Sequence, residues 1–292
     1  MSMCVTNTTC NVEVLLGVAY TPLFLLGLLV NTAALRAFVA QRASWTDSHV
    51  YMLNLAAADF TLILFLPFRI FDAFYCLSKT YLCTFLISIH YINMYASILT
   101  STAISVHRCL AVKFPLKARA WRRRKETALA VCLAIWVLVV GLCAAYHKSN
   151  DPEKLWRCYE RCKDNPLPFE FIMILVFLGF FIPLLIIVFC SSQIIYTLLK
   201  EDDKSVEKKN IVGIVTANMI VFIVCYTPIH VSFLVNYFSD PPADWQSNPT
   251  TAHTYLPVSE WIATTNCCLD SISYYFLLKD FYSSSKLTHN TT

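Results

Sequence analysis

The sequence predicts an all-α fold: a bundle of seven transmembrane helices with a short cytoplasmic amphipathic helix after the seventh. Three observations carry that prediction. Hydrophobic residues make up 57% of the 292 positions and charged residues only 14%, the composition of a chain solvated mainly by lipid. Apolar runs long enough to cross a hydrocarbon core of about 30 Å recur near 14–39, 49–75, 80–113, 125–147, 167–199, 206–238 and 252–277. The connections are short and contain no Gly/Ser-rich linker, low-complexity tract or repeat, so 1–292 reads as one domain.

The first run is of spanning length and no Lys or Arg precedes it, so it reads as a helix rather than a cleavable signal. The second carries Asp59 and, two residues after Pro67, Arg69. The third, from Tyr81 to Val112, has a polar stripe. His90, Asn93, Ser97, Ser101, Ser105 and Arg108 recur at steps of three or four and share one face. A polar stripe inside lipid must face protein or water, which makes this helix the centre of the bundle. The fourth run follows the basic cluster Arg122 to Lys125, and the short helix is expected at 279–287.

Basic residues set the expected orientation, because cytoplasmic loops retain Lys and Arg. Sixteen of the 23 fall at one end, six at the other, and Arg69 lies in the membrane. The N-terminus is therefore expected outside, in a multi-pass plasma-membrane protein. Asn7, in Asn7-Thr8-Thr9, becomes a reachable glycosylation sequon, while Asn290 falls on the cytoplasmic side. The net charge of +4 is accounted for by topology and anionic membrane lipids, with no nucleic-acid partner. Of the 13 cysteines, Cys4, Cys10, Cys76, Cys83, Cys158 and Cys162 fall at the outer end, where disulfides persist; the others read as small packing residues.

Other classes fail against the same residues. A retinal protein needs a lysine in the seventh helix, and 252–277 has none. No His-Glu-x-x-His helix or Gly-x-Ser-x-Gly turn is present, so the chain is not read as an enzyme. A seven-helix anion transporter is the alternative, for which paired repeats or broken helices would be expected.

One landmark per helix then occurs in order: Asn31 in Gly-Leu-Leu-Val-Asn, Asp59 in Asn-Leu-Ala-Ala-Ala-Asp, Cys83 and Arg108 at the ends of the third helix, Trp136 and Pro183. Phe222 with Cys225-Tyr226-Thr227-Pro228 follows, and then Asn266-Cys267-Cys268-Leu269-Asp270 with Tyr274. This set resembles the rhodopsin-like G-protein-coupled receptors. Within them, Ile223 to His230 and Asn266 to Asp270 are similar to the nucleotide-receptor branch with its kynurenate-type and lysophosphatidylinositol-type orphan receptors.

The resemblance implies a receptor that activates a heterotrimeric G protein, with arrestin as a further partner and no cofactor except a sodium ion as allosteric ligand. Asn93, Ser97, Asn266 and Asp270 would surround that ion with Asp59; an ion-free network with one protonated carboxyl is the alternative. Arg108, about 16 Å below Ser97 on the same face, would be the switch, with Phe222, Tyr226 and Tyr274, and Leu116 would touch the G protein. The residue before the arginine is usually acidic; here it is His107, so the local lock is expected to be missing and an acid at 107 to restore it. Cys83 is expected to pair with a cysteine of the second outer loop, Cys158 or its competitor Cys162, and Cys10 with the other or with Cys76.

The outer half should hold the ligand. His90, Tyr91 and His230 can share the cavity of Arg69, with His147, Lys148, Arg157, Arg161 and His253 at its mouth, a set that favours an anion. His90 stands where amine receptors carry aspartate, and Met94 where the kynurenate-type receptor carries arginine. Arg69 is closer to the lysine of the lysophosphatidylinositol-type receptor. A small acidic or lysophospholipid-like ligand is the expectation. Glu260 is either a gate that occupies Arg69 until the ligand arrives or its structural ion-pair partner.

Overall fold

The computed structural model describes residues 7–40, 46–115, 125–146, 151–162, 166–200, 206–239 and 254–270, with side chains from 12 in the first segment and from 208 in the sixth. Seven helices run through them: α1 (Asn7–Ala40), α2 (Asp47–Tyr75), α3 (Tyr81–Lys113), α4 (Lys125–Ala145), α5 (Phe169–Lys200), α6 (Val206–Phe238) and α7 (254–270). The first six are each long and apolar enough to cross a membrane. Their ends fall close to the expected ones, except that α1 begins earlier, at Asn7. The helix expected at 279–287 lies outside the described residues, as do Leu116, Tyr274, His253, His147 and Lys148; so does the side chain of Asn7.

Lipid selects what faces outward. Leu15, Leu29, Leu133, Val137, Phe189 and Leu199 are all 60% exposed or more, an arrangement stable only if the surroundings are apolar. Over its most apolar stretch α3 is 56% buried, as is α2, against 22% for α1, α4 and α6, so the helix with the polar stripe is central. Inside the bundle polar side chains bond across helices, since no water is available to replace a missing partner. Asn31 Nδ2 donates to Cys267 O at 2.8 Å, joining α1 to α7. Trp136 Nε1 donates to Asn54 Oδ1 at 2.8 Å and Asn54 Nδ2 to Thr100 Oγ1 at 2.9 Å, joining α4 to α2 and α3.

One end of the bundle, called outer below, carries a lid. A 3-10 turn, Pro152–Lys154, leads into β1 (Leu155–Arg157), which pairs antiparallel with β2 (Glu160–Arg161). The all-α expectation needs this one amendment; the strands are too short to leave a periodic signal. Cys158 at the hairpin turn forms the disulfide with Cys83 at the top of α3, and Cys162, the competing candidate, does not.

In α5 a π-helical stretch, Ile174–Phe181, precedes Pro183, and Ile182 N–H reaches back five residues to Phe177 O. The wider turn moves Gly179 against α3. A Cβ built at Gly179 would lie 2.5 Å from Tyr95 Cε1, and Tyr95 is buried with its hydroxyl bonded to His230 Nε2 at 3.1 Å. Gly179→Ala is therefore expected to displace the Tyr95 ring and cost about 1–3 kcal/mol. A thermal unfolding midpoint equal to the wild type's in the same lipid would contradict that close approach.

Candidate functional site

The outer cavity is built on α2, α3, α5, α6, α7 and the lid. It encloses about 290 Å³, and its lining includes Arg69, His90, Tyr91, Tyr159, Glu160, Arg161, Phe233, Tyr237 and Glu260. Arg69 Nη2 donates to Glu260 Oε2 at 2.5 Å, and Tyr91 hydroxyl donates to Glu260 Oε1 at 2.8 Å. The Arg69 guanidinium stacks over the Tyr159 ring at 4.3 Å and faces Tyr20 at 5.6 Å. An arginine in lipid is tolerated where a carboxylate and aromatic faces replace its water, and both are present. The second cation of the cavity is Arg161 of β2; burial lowers its pKa, yet a guanidinium this basic stays charged.

Beside this polar cavity lies an apolar crevice of about 210 Å³ between α3, α4 and α5, lined by residues such as Ile92, Leu138, Leu142, Phe171, Leu175, Leu178 and Gly179. Tyr91, Leu167 and Phe233 line both spaces, so the charged chamber and the apolar crevice share a wall.

Several expected residues lie elsewhere. His230 does not line the outer cavity. It is 1% exposed, stacks on Phe180 at 4.3 Å, and its Nδ1 lies 2.7 Å from Tyr226 O. A carbonyl only accepts, so Nδ1 carries the proton and the neutral ring's Nε2 accepts from Tyr95 hydroxyl. Met94, also expected at the ligand, lines a deeper cavity. Arg157 turns away from the mouth to Glu13 of α1, at 3.5 Å. The contribution of Tyr20 and Tyr159 to the Arg69 site was not foreseen, because a single tyrosine in an apolar helix or a short loop carries no positional signal.

The deeper cavity, about 10 Å³, is lined by Asp59, His90, Asn93, Ser97, Tyr226, Thr264 and Asn266 among others. Ser97 hydroxyl donates to Asp59 Oδ1 at 3.3 Å. Asn93 Oδ1 is buried without a hydrogen-bond partner among the described residues, and its cavity has about the room that one water molecule needs. A carboxylate, a hydroxyl and an amide oxygen around such a space are the donors a hard cation takes. Asp270 is not in that ring. It accepts from Asn266 Nδ2 at 2.6 Å and lines the next cavity toward the inner end, with Ser101, Ser105, Arg108, Ser191 and Phe222. Ser101, Ser105 and Arg108 of the α3 stripe thus share one inner chamber of about 50 Å³.

At the inner end His107, expected to leave Arg108 without a local acid, has an acid partner of its own. His107 Nε2 donates to Asp47 Oδ2 at 2.7 Å, and its Nδ1 lies 3.4 Å from Ser48 Oγ. The first turn of α2 supplies this carboxylate to His107, at a position where it also suits the helix dipole. Asp47 marks a helix start in the sequence, but nothing there indicates its partner 60 residues away. His107→Asp would set two carboxylates against each other. We expect it to lower the thermal unfolding midpoint, and the exchange Asp47→His with His107→Asp to recover most of the loss. An unchanged midpoint for His107→Asp would remove this pair from the structure's stability.

The geometry leaves a helical bundle with a charged outer cavity, a polar core and an arginine-lined inner chamber, and known proteins are similar to it in sequence. Residues 30–274 match the 7 transmembrane receptor (rhodopsin family). The human G-protein coupled receptor 35 is 35% identical over 271 residues, covering 91% of this chain and 84% of its own. The human lysophosphatidic acid receptor 6 is 30% identical over 298 residues, 94% and 83% of the two chains. The mouse G-protein coupled receptor 55 is 29% identical over 280 residues, 90% and 85%. With the landmark residues Asn31, Asp59, Arg108, Pro228 and Asn266 on the helices described above, this chain belongs to the rhodopsin family of seven-transmembrane receptors.

Proposed function

We propose that this receptor takes an acidic amphiphile, its headgroup in the outer cavity and its chain in the apolar crevice, and signals to a heterotrimeric G protein at the inner end. The observation that carries this reading is the shared wall. Arg69 and Arg161 place two guanidiniums in the chamber, and past Tyr91, Leu167 and Phe233 the neighbouring space is almost wholly apolar. A molecule that is anionic at one end and aliphatic at the other fits both spaces, whereas a monoamine would meet the cations. The relatives named as receptors for lysophosphatidic acid point to the same class of compound. In this reading the outer end with its lid is extracellular, and so is the N-terminus.

Glu260 occupies Arg69, and the headgroup takes its place. A guanidinium offers a planar fork to a phosphate or carboxylate, and the charged contact contributes about 1.5–3 kcal/mol. With lysophosphatidic acid as the probe and nucleotide exchange on added G protein as the readout, Arg69→Ala is expected to weaken potency at least about ten-fold. Arg69→Lys should weaken it less, and Glu260→Gln should strengthen it. Well-expressed Arg69→Ala and Arg161→Ala receptors with wild-type potency would refute the anion site. Loss of surface expression in both Arg69→Ala and Glu260→Gln would instead mark the pair as structural.

The deeper cavity supports a second element of the reading. Asp59, Ser97 and the Asn93 Oδ1 atom would hold a sodium ion, which as a positive charge offsets the Asp59 carboxylate and favours the resting bundle. Asn266 lines the same space, and Asp270 would act one step away through its bond from Asn266. Agonist affinity is expected to fall when sodium replaces N-methylglucamine at equal ionic strength, and Asp59→Asn to abolish that dependence. Identical affinities in the two salts would leave a protonated, ion-free network instead.

A further inference from the structure

Behind the Arg69 site lies a small cavity of about 20 Å³ between α1, α2 and the lid, lined in part by Glu13, Asp72, Arg157 and Glu160 and sharing Arg69, Tyr159 and Glu160 with the outer cavity. The carboxyl groups of Glu13 and Glu160 face each other across it, close enough to share a hydrogen bond. Two ionised carboxylates repel, so a hydrogen bond between them requires one to carry a proton. The neighbours do not remove the excess of acid. On the lid side are Arg157, whose Nη1 lies 3.5 Å from Glu13 Oε1, and the Tyr159 hydroxyl. From α1 Tyr20 approaches; from α2 come Arg69 and Asp72, the latter accepting Leu77 N–H at 2.7 Å; and from α7 comes Glu260. Four carboxyl groups thus meet two guanidiniums, one of which, Arg69, is already bonded to Glu260. Burial is the largest influence on Glu160, which lies outside the membrane-spanning segments, and raises its pKa above the ordinary carboxylate value.

We propose that Glu13 and Glu160 form a proton-holding latch that fastens the β1–β2 lid to α1, so that the lid over the ligand cavity loosens as the outer pH rises. The proton sits in the O–H···O⁻ bond between the two side chains; on deprotonation it passes to bulk water and leaves two carboxylates in contact. The shared proton is held more tightly with the lid closed than open. Closure is therefore favoured fully at pH below the open-state pKa and lost as pH rises through the closed-state pKa. Because Tyr159 of the same hairpin covers Arg69, an opened lid exposes the headgroup site. The proposal depends on the lid's contacts and not on which ligand binds.

The test is hydrogen–deuterium exchange of the hairpin amides, including Cys162 N–H, which donates to Lys154 O at 2.9 Å, on the full receptor in nanodiscs without ligand. After correction for intrinsic exchange, protection of the wild-type hairpin is expected to fall about ten-fold between about pH 5.5 and about pH 8.5, the effect of one unit of pKa difference between closed and open lid. Glu160→Gln keeps a donor toward Glu13 at every pH, so its hairpin should stay protected throughout, and Glu13→Gln tests the same bond from the other side if the first variant expresses poorly. Equal wild-type protection at the two pH values would overturn the latch, as would a pH response unchanged in both variants. A response that disappears on adding EDTA would overturn it in favour of a bound metal cation.

Discussion

A charge in the membrane must be answered by the protein, and Arg69 is where this requirement shapes most of the outer half of the receptor. Its guanidinium needs a carboxylate, which α7 supplies in Glu260; the second carboxylate oxygen needs a donor, which α3 supplies in Tyr91. The faces of the guanidinium are covered by Tyr20 from α1 and Tyr159 from the lid. Three helices and the lid are thereby tied to one side chain of α2. The Cys83–Cys158 disulfide holds the lid where Tyr159 can reach it. Such a pair is costly to build and easily unbalanced, which suits a site where an incoming anion displaces one partner.

The same requirement runs down α3 to the other end. His90 borders both the headgroup chamber and the Asp59 cavity, Asn266 borders both that cavity and the chamber of Arg108, and His107 closes the column on Asp47. Each polar residue of the stripe faces another polar group or a small chamber. The outer cavity and the inner end are therefore connected by an unbroken column of polar side chains and small chambers. The Phe222, Tyr226 and His230 rings of α6 pack beside this column, around Pro228.

Much of this was legible in the residues. Helix positions followed from hydropathy because spanning length is set by bilayer thickness, and α3 was found as the centre because its polar stripe repeats at helical spacing. The Arg69–Glu260 pair followed from the cost of a lone charge in lipid. What stayed hidden depends on three-dimensional approach. The Asp47–His107 contact joins residues that carry ordinary local signals for a helix start and a helix end. Met94 and His230 share the expected outer half but point into other spaces, a matter of helix rotation, and for His230 of the turn around Pro228. The apolar crevice is bordered by the widened turn of α5, where Gly179 meets Tyr95, and no residue pattern announces a π-helical stretch. The β1–β2 hairpin is shorter than any period that could reveal it.

The central claim is that one ligand must satisfy the cations and the crevice together, and a matched set of three compounds tests it most directly. Nucleotide exchange on G protein would be measured with receptor in nanodiscs, in the presence of lysophosphatidic acid, the monoacylglycerol with the same chain, or glycerol phosphate alone. The account predicts activation by the first, and little or none by the neutral lipid or the chainless phosphate at the same concentrations. Equal activation by the monoacylglycerol would show that Arg69 and Arg161 do not read a headgroup, and would contradict it.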